Sequence, residues 1–423
     1  MIKKREPDIK AIKGGMLIDG TGAEPIRNAT VVIEGSKIKA VGKGAAIPES
    51  AEVMDAKGKT VMPGLIDAHM HFRGVKTNYR AKAELVRGPE LRLIQSISEG
   101  KELLAMGFTM AKDCGGLNGI FLKKAEAEGI LTGLPRIVAA GHLLCGTAGH
   151  IDYPFLPSEC VDARTREHID IKNTDLYGLV CDSVDECIKA VRHQLRVGAD
   201  FVKICSGEFP SDSKTDFPEF SLEATRAIVQ AAADAGLFVT AHNEGSIIGM
   251  KRSILGGVKT IDHAAFTNDE VVELAKQNGV IFVATLGLFR RLGLAEVPQH
   301  LRYAARKFGP WVEALFESYK RIHRTGAVLA VGSDYPWARF GLPASELEEF
   351  VKYCDFTPME AIVAATKNGA MACFMGDKTG TIEPGKFADI IIVDGNPLAD
   401  IKILQDVTKI KMVMLEGKVE VVR

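Results

Sequence analysis

The segment Pro63-Gly64-Leu65-Ile66-Asp67-Ala68-His69-Met70-His71 reads as a strand ending in His-x-His. Successive strand side chains alternate faces, so His69 and His71 point the same way, and two neutral imidazoles so spaced can share one metal ion. Alone, such a pair is as often structural as ligating. Its meaning sharpens because further residues that can serve a metal site recur along the chain. Lys203 lies inside the apolar strand Phe201-Val202-Lys203-Ile204-Cys205, and His242 ends Val239-Thr240-Ala241-His242. His263 follows Ile261-Asp262, and Asp334 follows Val331-Gly332-Ser333. An ammonium is a poor metal partner and is costly to bury unpaired, but its amine can react with carbon dioxide. The resulting carbamate has two oxygens and can bridge two divalent cations about 3.5 to 4 Å apart, the spacing of two-metal hydrolytic sites. One cation would take His69, His71 and Asp334, and the other His242 and His263. A hydroxide between them would be the nucleophile, because metal binding brings the pKa of water towards neutrality. Asp334 would accept its proton and deliver it to the leaving group.

These residues need a frame that brings them together. About eight short apolar strands, beginning at Leu65, Phe108, Arg136, Asp200, Leu237, Thr260, Ile281 and Ala327, alternate with helix-length amphipathic stretches. That pattern argues for βα units and a parallel sheet, and eight units suggest closure into a barrel. Active-site residues of such barrels gather at the C-terminal ends of the strands, so the six residues would converge. Ser221 to Ala235 opens with a capping residue and reads as an outer barrel helix. Long interruptions at Leu143–Asp182 and Gly287–Gly309 would be lids or binding loops on the catalytic face. Short strands with turn chemistry occupy the first 60 residues and return from Gly385 onwards, so the two ends would pair.

With 423 residues the chain is long enough for two or three domains, or one large barrel with an appendage. Hydrophobic residues make up 46% and charged residues 25%, close to the globular average, which argues against disorder, a collagen-like repeat or a coiled coil. Lys plus Arg number 53 against 54 Asp plus Glu, so no net field recruits nucleic acid or anionic lipid, and the partner is a small molecule. No apolar run approaches the roughly 18 to 20 residues of a membrane helix, and Met1–Lys13 is charged, unlike a signal peptide. A cytoplasmic location is expected. The eight cysteines form no C-x-x-C pair and are expected as reduced, mostly buried thiols.

On the residues above, the sequence resembles the amidohydrolase superfamily. The likeness runs from Asp19-Gly20-Thr21-Gly22 through Pro-Gly-Leu-Ile-Asp-Ala-His-Met-His to Gly380-Thr381-Ile382-Glu383-Pro384-Gly385-Lys386-Phe387-Ala388-Asp389. It implies an α/β chain with a (β/α)8 TIM barrel over 63–379 and a small β-sandwich domain from 1–62 plus 380–423. It also implies hydrolysis at a carbonyl or phosphoryl centre with two divalent metal ions, usually zinc, and in one subtype a carboxylated lysine matching Lys203. A homo-oligomer is expected.

Within that superfamily the sequence is similar to the prolidase-like and imidazolonepropionase-related group, through Met106-Gly107-Phe108-Thr109, Lys112-Asp113-Cys114-Gly115-Gly116 and Gly146-Thr147-Ala148-Gly149-His150. The dipeptidase members carry Thr-Gly-Gly-His at the last of these, which implies that His150 contacts substrate; here Ala148 replaces the middle glycine. His142, nearer the strand, either lines the site or is packed. Where those members resemble His-Ala-Tyr-Gly after strand five, this chain has His242-Asn243-Glu244-Gly245. Glu244 would repel a carboxylate, so the substrate is expected to be neutral or cationic there, or to have its acid held elsewhere by Arg290 or Arg291. Equally, Glu244 could face solvent or pair with a loop arginine. Asp67 and Asp113 could each orient the site or bridge barrel layers. Trp337 and Arg339 could line the pocket. The expected activity is hydrolysis of an amide-type C–N bond in a small peptide, N-acyl amino acid or related carboxamide. Cyclic amide opening is the next reading, and lactone, carbamate or phosphotriester hydrolysis would use the same nucleophile. Deaminases of the superfamily usually use one metal and lack the bridging lysine, and a non-catalytic scaffold should have eroded ligands.

Overall fold

The computed structural model describes residues 8–74, 87–152, 178–207, 216–292, 309, 312–335 and 343–423, excepting the side chains of 288, 291 and 292. Five strands open the chain: β1 (Ile9–Leu17), β2 (Ile26–Glu34), β3 (Lys37–Gly42), β4 (Glu52–Asp55) and β5 (Thr60–Pro63). The central region supplies β6 (Leu65–Met70), β7 (Phe108–Asp113), β8 (Arg136–Ala139), β9 (Leu143–Cys145) and β10 (Gly178–Val180). It continues with β11 (Phe201–Cys205), β12 (Phe238–Asn243), β13 (Thr260–His263), β14 (Ile281–Ala284) and β15 (Leu329–Val331). The chain ends in β16 (Ile390–Val393), β17 (Ile410–Leu415) and β18 (Lys418–Val422).

The strands of the central region are parallel and run in two arcs, β6-β7-β8 and β10-β9-β11-β12-β13-β14-β15. Backbone hydrogen bonds join the arcs. Asp200 N–H donates to the Ala139 carbonyl at 2.8 Å, and the N–H groups of Ser333 and Asp334 donate to the His69 carbonyl at 3.1 and 2.8 Å. The ring is therefore completed in the order of a (β/α)8 barrel. Its strands are buried along nearly their whole length, as both faces of a parallel barrel strand must be. The expected strand starts lie within two residues of the observed ones.

The third strand departs from expectation. At Gly141, where φ is +72°, the chain breaks between β8, which pairs with β7, and β9, which pairs with β11. The stretch read as one long loop from Leu143 therefore starts as a strand and ends in another, β10. The second expected loop likewise opens as a helix, Leu286–Leu292.

Outer helices carry strong terminal signals. Val184–Val197 begins with a Ser183/Glu186 capping box and ends at Gly198 with φ +95°, and Leu222–Asp234 is capped by Ser221, as its sequence indicates. The strands of the two chain ends form one mixed sheet in the order β18-β17-β16-β5-β1-β2-β3, with β4 beside β1. It curls around its own apolar core of Ile12, Val31, Ile33, Val61, Ile390 and Met414. Seven cysteines lie among the described residues, all buried and none in a disulfide; Cys160 lies outside them. No helix among the described residues is long and apolar enough to cross a membrane.

Candidate functional site

Barrel geometry places the chemistry. His69 is an inward position of β6, His71 lies just beyond that strand, and Lys203, His242 and His263 lie in β11, β12 and β13. Asp334 follows β15. All six are buried. Two of them depend on a backbone that side chains rarely adopt: φ is +69° at His263 and +52° at Asp334. At His263 this turn breaks strand alternation, so that Asp262 and His263 both meet residues of the barrel interior. At the β6–β15 seam Gly332 is required, since a Cβ there would lie 2.6 Å from His69 Cβ.

His71 Nε2 lies 3.2 Å from Asp334 Oδ1, and His69 Nε2 lies 3.6 Å from the same oxygen. The three side chains can present one donor each to a shared cation. The imidazoles continue as a cluster, with ring centroids 4.6 Å apart for His69 and His263 and 4.5 Å for His263 and His242. His263 Nδ1 is 2.7 Å from Thr285 Oγ1 and His69 Nδ1 is 2.9 Å from Asp262 Oδ2, which leaves the Nε2 atoms for a ligand. His242 Nε2 is buried without a hydrogen-bond partner. An orphaned buried nitrogen beside two imidazoles oriented in this way, with a carboxylate close by, is a donor set that fits divalent cations.

Lys203 is wholly buried and its Nζ pairs with Asp262 Oδ2. Burial would lower the lysine pKa and raise the aspartate's, yet their mutual attraction wins at both, so Lys203 is shifted up and Asp262 well below the carboxylate range. Burial pushes His242 and His263 well below the usual imidazole value, helped by His150 at the first and His69 at the second, which favours the neutral, ligating form. At Asp334 burial is outweighed by His69 and His71, and its carboxyl is held well below its ordinary value.

Asp67 accepts from the backbone N–H of His69 (3.2 Å) and of Ser333 (3.0 Å) and from the Ser333 hydroxyl, so it fastens β6 to the turn that carries Asp334. Asp113 accepts from the N–H groups of Phe72, Gly115 and Gly119 and so shapes the crossing beyond β6 and β7.

On the substrate side, the half-buried His150 lies against His242 with ring centroids 3.9 Å apart and planes tilted by 33°, and Glu244, which is buried, can share a cation with these two. His142 is buried elsewhere. Its backbone N–H donates to Gln194 Oε1 at 3.0 Å, and its ring lies 5.3 Å from that of His193. Arg290 is engaged in a bidentate pair with Glu349, at 2.6 and 2.5 Å. Trp337 and Arg339 lie outside the described residues, as does the side chain of Arg291.

Asp262 and Thr285, which orient His69 and His263, were not singled out by sequence reasoning. Asp262 directly precedes a ligand-type histidine; it stands in register with His242 and so faces the interior, and the positive φ at His263 brings the histidine in beside it. Lys112, fully buried, donates to Thr260 Oγ1 at 3.2 Å and adds positive charge near Asp262.

Residues 60–419 match the model of the amidohydrolase family. The chain is 31% identical to ochratoxinase of Aspergillus niger over 98% of its own length and 87% of that protein's. The crystal structure of that enzyme superposes with a TM-score of 0.89 at 30% identity, covering 99% of this chain and 97% of the other. Imidazolonepropionase of Shewanella sediminis (strain HAW-EB3) is 27% identical over 87% of each protein. A crystal structure of a Xaa-Pro dipeptidase with bound methionine in the active site matches with a TM-score of 0.82 at 29% identity, over 97% of this chain and 99% of that one.

Proposed function

The chain belongs to the amidohydrolase family and is a metal-binding hydrolase of amide-type C–N bonds, and from that premise we propose how its site works and on what. His69, His71 and Asp334 would hold one divalent cation and His242 and His263 a second, with Lys203 in its carboxylated form as a further anionic ligand. The observation that carries this reading is the continuous run of imidazoles from His69 through His263 to His242, with Asp334 beside His69 and His71. When bound, the cations supply Lewis acidity towards the scissile carbonyl and bring the pKa of a water towards neutrality. Asp334 accepts the proton of the attacking water and hands it to the departing nitrogen, so that the C–N bond breaks to give an acid and an amine. Asp262 and Thr285 hold the His69 and His263 rings in the tautomer this requires. Carboxylation of Lys203 removes the cation that balances Asp262, and Lys112 is the positive charge that stays.

His150 binds the substrate beside His242. Glu244 makes that position unfavourable for a substrate carboxylate, so the group bound there is neutral or cationic. Zinc as the metal, a cytoplasmic location, a homo-oligomeric state and the division into a 1–62 plus 380–423 domain and a 63–379 barrel belong to the same proposal.

The test is metal analysis of the purified protein with a screen of the metal-loaded enzyme against dipeptides, N-acyl amino acids, their neutral amides, cyclic ureides and lactones. Two equivalents of zinc and turnover of amides are expected. Metal well below stoichiometry, or activity confined to lactones, would overturn the reading. For Glu244, a clear preference for acidic substrates in both the wild type and Glu244→Gln would sink the charge argument. Activity of Lys203→Ala restored by a small carboxylate such as propionate would support that anionic ligand; loss with no such rescue would argue against it.

A further inference from the structure

The turn carrying His150 is held from outside by carboxylates. Glu219, just before the helix Leu222–Asp234, accepts from the N–H of Gly146 through Oε2 (3.4 Å) and from the N–H of His150 through Oε1 (3.2 Å). Asp182 accepts from the N–H of Thr147 (2.8 Å) and from its hydroxyl (2.7 Å), and Asp152 accepts from the N–H of Ala148 (2.6 Å). Ala148 itself has φ +61°, a conformation that glycine would adopt more easily.

The two glycines of the motif answer to the same residue. A Cβ at Gly149 would lie 2.1 Å from Glu219 Oε2, and one at Gly146 would lie 3.0 Å from the Glu219 carbonyl oxygen. Gly-x-x-Gly-His is thus spaced so that one carboxylate can reach the backbone at both ends of the turn. The fixed end carries the imidazole whose ring centroid lies 3.9 Å from that of His242.

We propose that Glu219 is a positioning residue for substrate recognition: by gripping Gly146 and His150 it sets the distance of the His150 ring from the metal-ligand side chain His242. Because its two oxygens serve two different N–H groups, an amide cannot replace it, since the NH2 of glutamine would face one of those donors. The inference rests on the reading of His150 as a substrate-binding residue.

The test combines Glu219→Gln, His150→Ala and the double variant, measured with the best amide substrate of the screen and by amide hydrogen exchange over residues 146–150. Glu219→Gln is expected to raise KM about tenfold or more with kcat little changed and metal content at the wild-type level, the size of one charge-assisted hydrogen bond lost. In the His150→Ala background the same change should add less than about twofold, because Glu219 acts only through that side chain. Exchange at the Gly146 and His150 amides should accelerate in Glu219→Gln. Unchanged exchange, or KM effects that simply multiply in the double variant, would overturn the proposal. If no amide is turned over, the functional reading fails, and the exchange experiment still decides whether Glu219 holds the turn.

Discussion

At the scale of single residues, Asp262 has the most to lose. Its Oδ2 meets both His69 Nδ1 and Lys203 Nζ, so one substitution disturbs the orientation of a proposed ligand and a buried charge together. Asp262→Asn should weaken metal binding about 10- to 100-fold, the usual cost of removing such an orienting partner, as read by competition with a chelator; wild-type affinity would show that His69 needs no such support. Asp113 gives a pH signature. Burial pushes its carboxyl up to about 7 in the fold, against the pull of three N–H groups, from an ordinary value of 3.8. A raised carboxylate pKa means the folded chain binds the extra proton, so this group's contribution falls as pH rises from about 4 to about 7 and is flat above that. Denaturant titrations at several pH values should show that slope in the wild type and a shallower one in Asp113→Asn; parallel curves would refute it. The residues proposed as metal ligands were legible as a set because five of them sit near or just beyond the end of a strand, Lys203 lying inside one. Asp262 was not, because it shares its strand with a ligand and alternation hides it, and the roles of Asp67 and Asp113 depended on which N–H groups the fold would bring to them.

At the scale of elements, the barrel strands were readable since each is a short apolar run between amphipathic helices, and their starts fell within two residues of expectation. The split third strand was hidden because β9 and β10 have only three residues each, too few for any periodicity, and the division rests on one glycine in the left-handed region. Glycine also sets the β6–β15 seam. Gly332→Ala would force a methyl group to within 2.6 Å of His69 Cβ and 3.0 Å of both the His69 nitrogen and Val283 Cγ1. We expect about 1 to 3 kcal/mol of destabilisation together with reduced metal content, since the strain falls on a ligand-bearing strand; calorimetry and metal analysis check both, and an unaffected metal content would place the strain elsewhere. Ser183→Ala is the control. Removing the cap of Val184–Val197 should cost about 1 kcal/mol and leave turnover unchanged.

At the scale of the whole molecule, the barrel and the sheet made by the chain ends are tied by Arg136 at the foot of β8. Its guanidinium donates to Asp389 at 2.6 and 3.3 Å and to Glu416 at 2.7 Å, while Asp389 also accepts from Thr379. Asp389 was visible in the sequence only as part of a family motif, and its partner lies 253 residues away, so nothing local announced the pair. Breaking one half of a largely buried ion pair is costly, and Asp389→Ala should lower stability by about 3 to 5 kcal/mol in equilibrium unfolding; a loss below about 1 kcal/mol would show that the two parts do not depend on this contact. The pairing of β5 with β16 reaches further still, with Thr60 Oγ1 bonded at 2.6 Å to the carbonyl of Gly395, 335 positions downstream. Because a ribosome delivers the amino end first, β5 leaves the exit tunnel with a bare edge and waits for its neighbour until the 335 positions from Thr60 to Gly395 have been made. Termination before residue 390 is therefore expected to leave that edge open and to lower the soluble yield, as a comparison of truncated and full chains on expression would show.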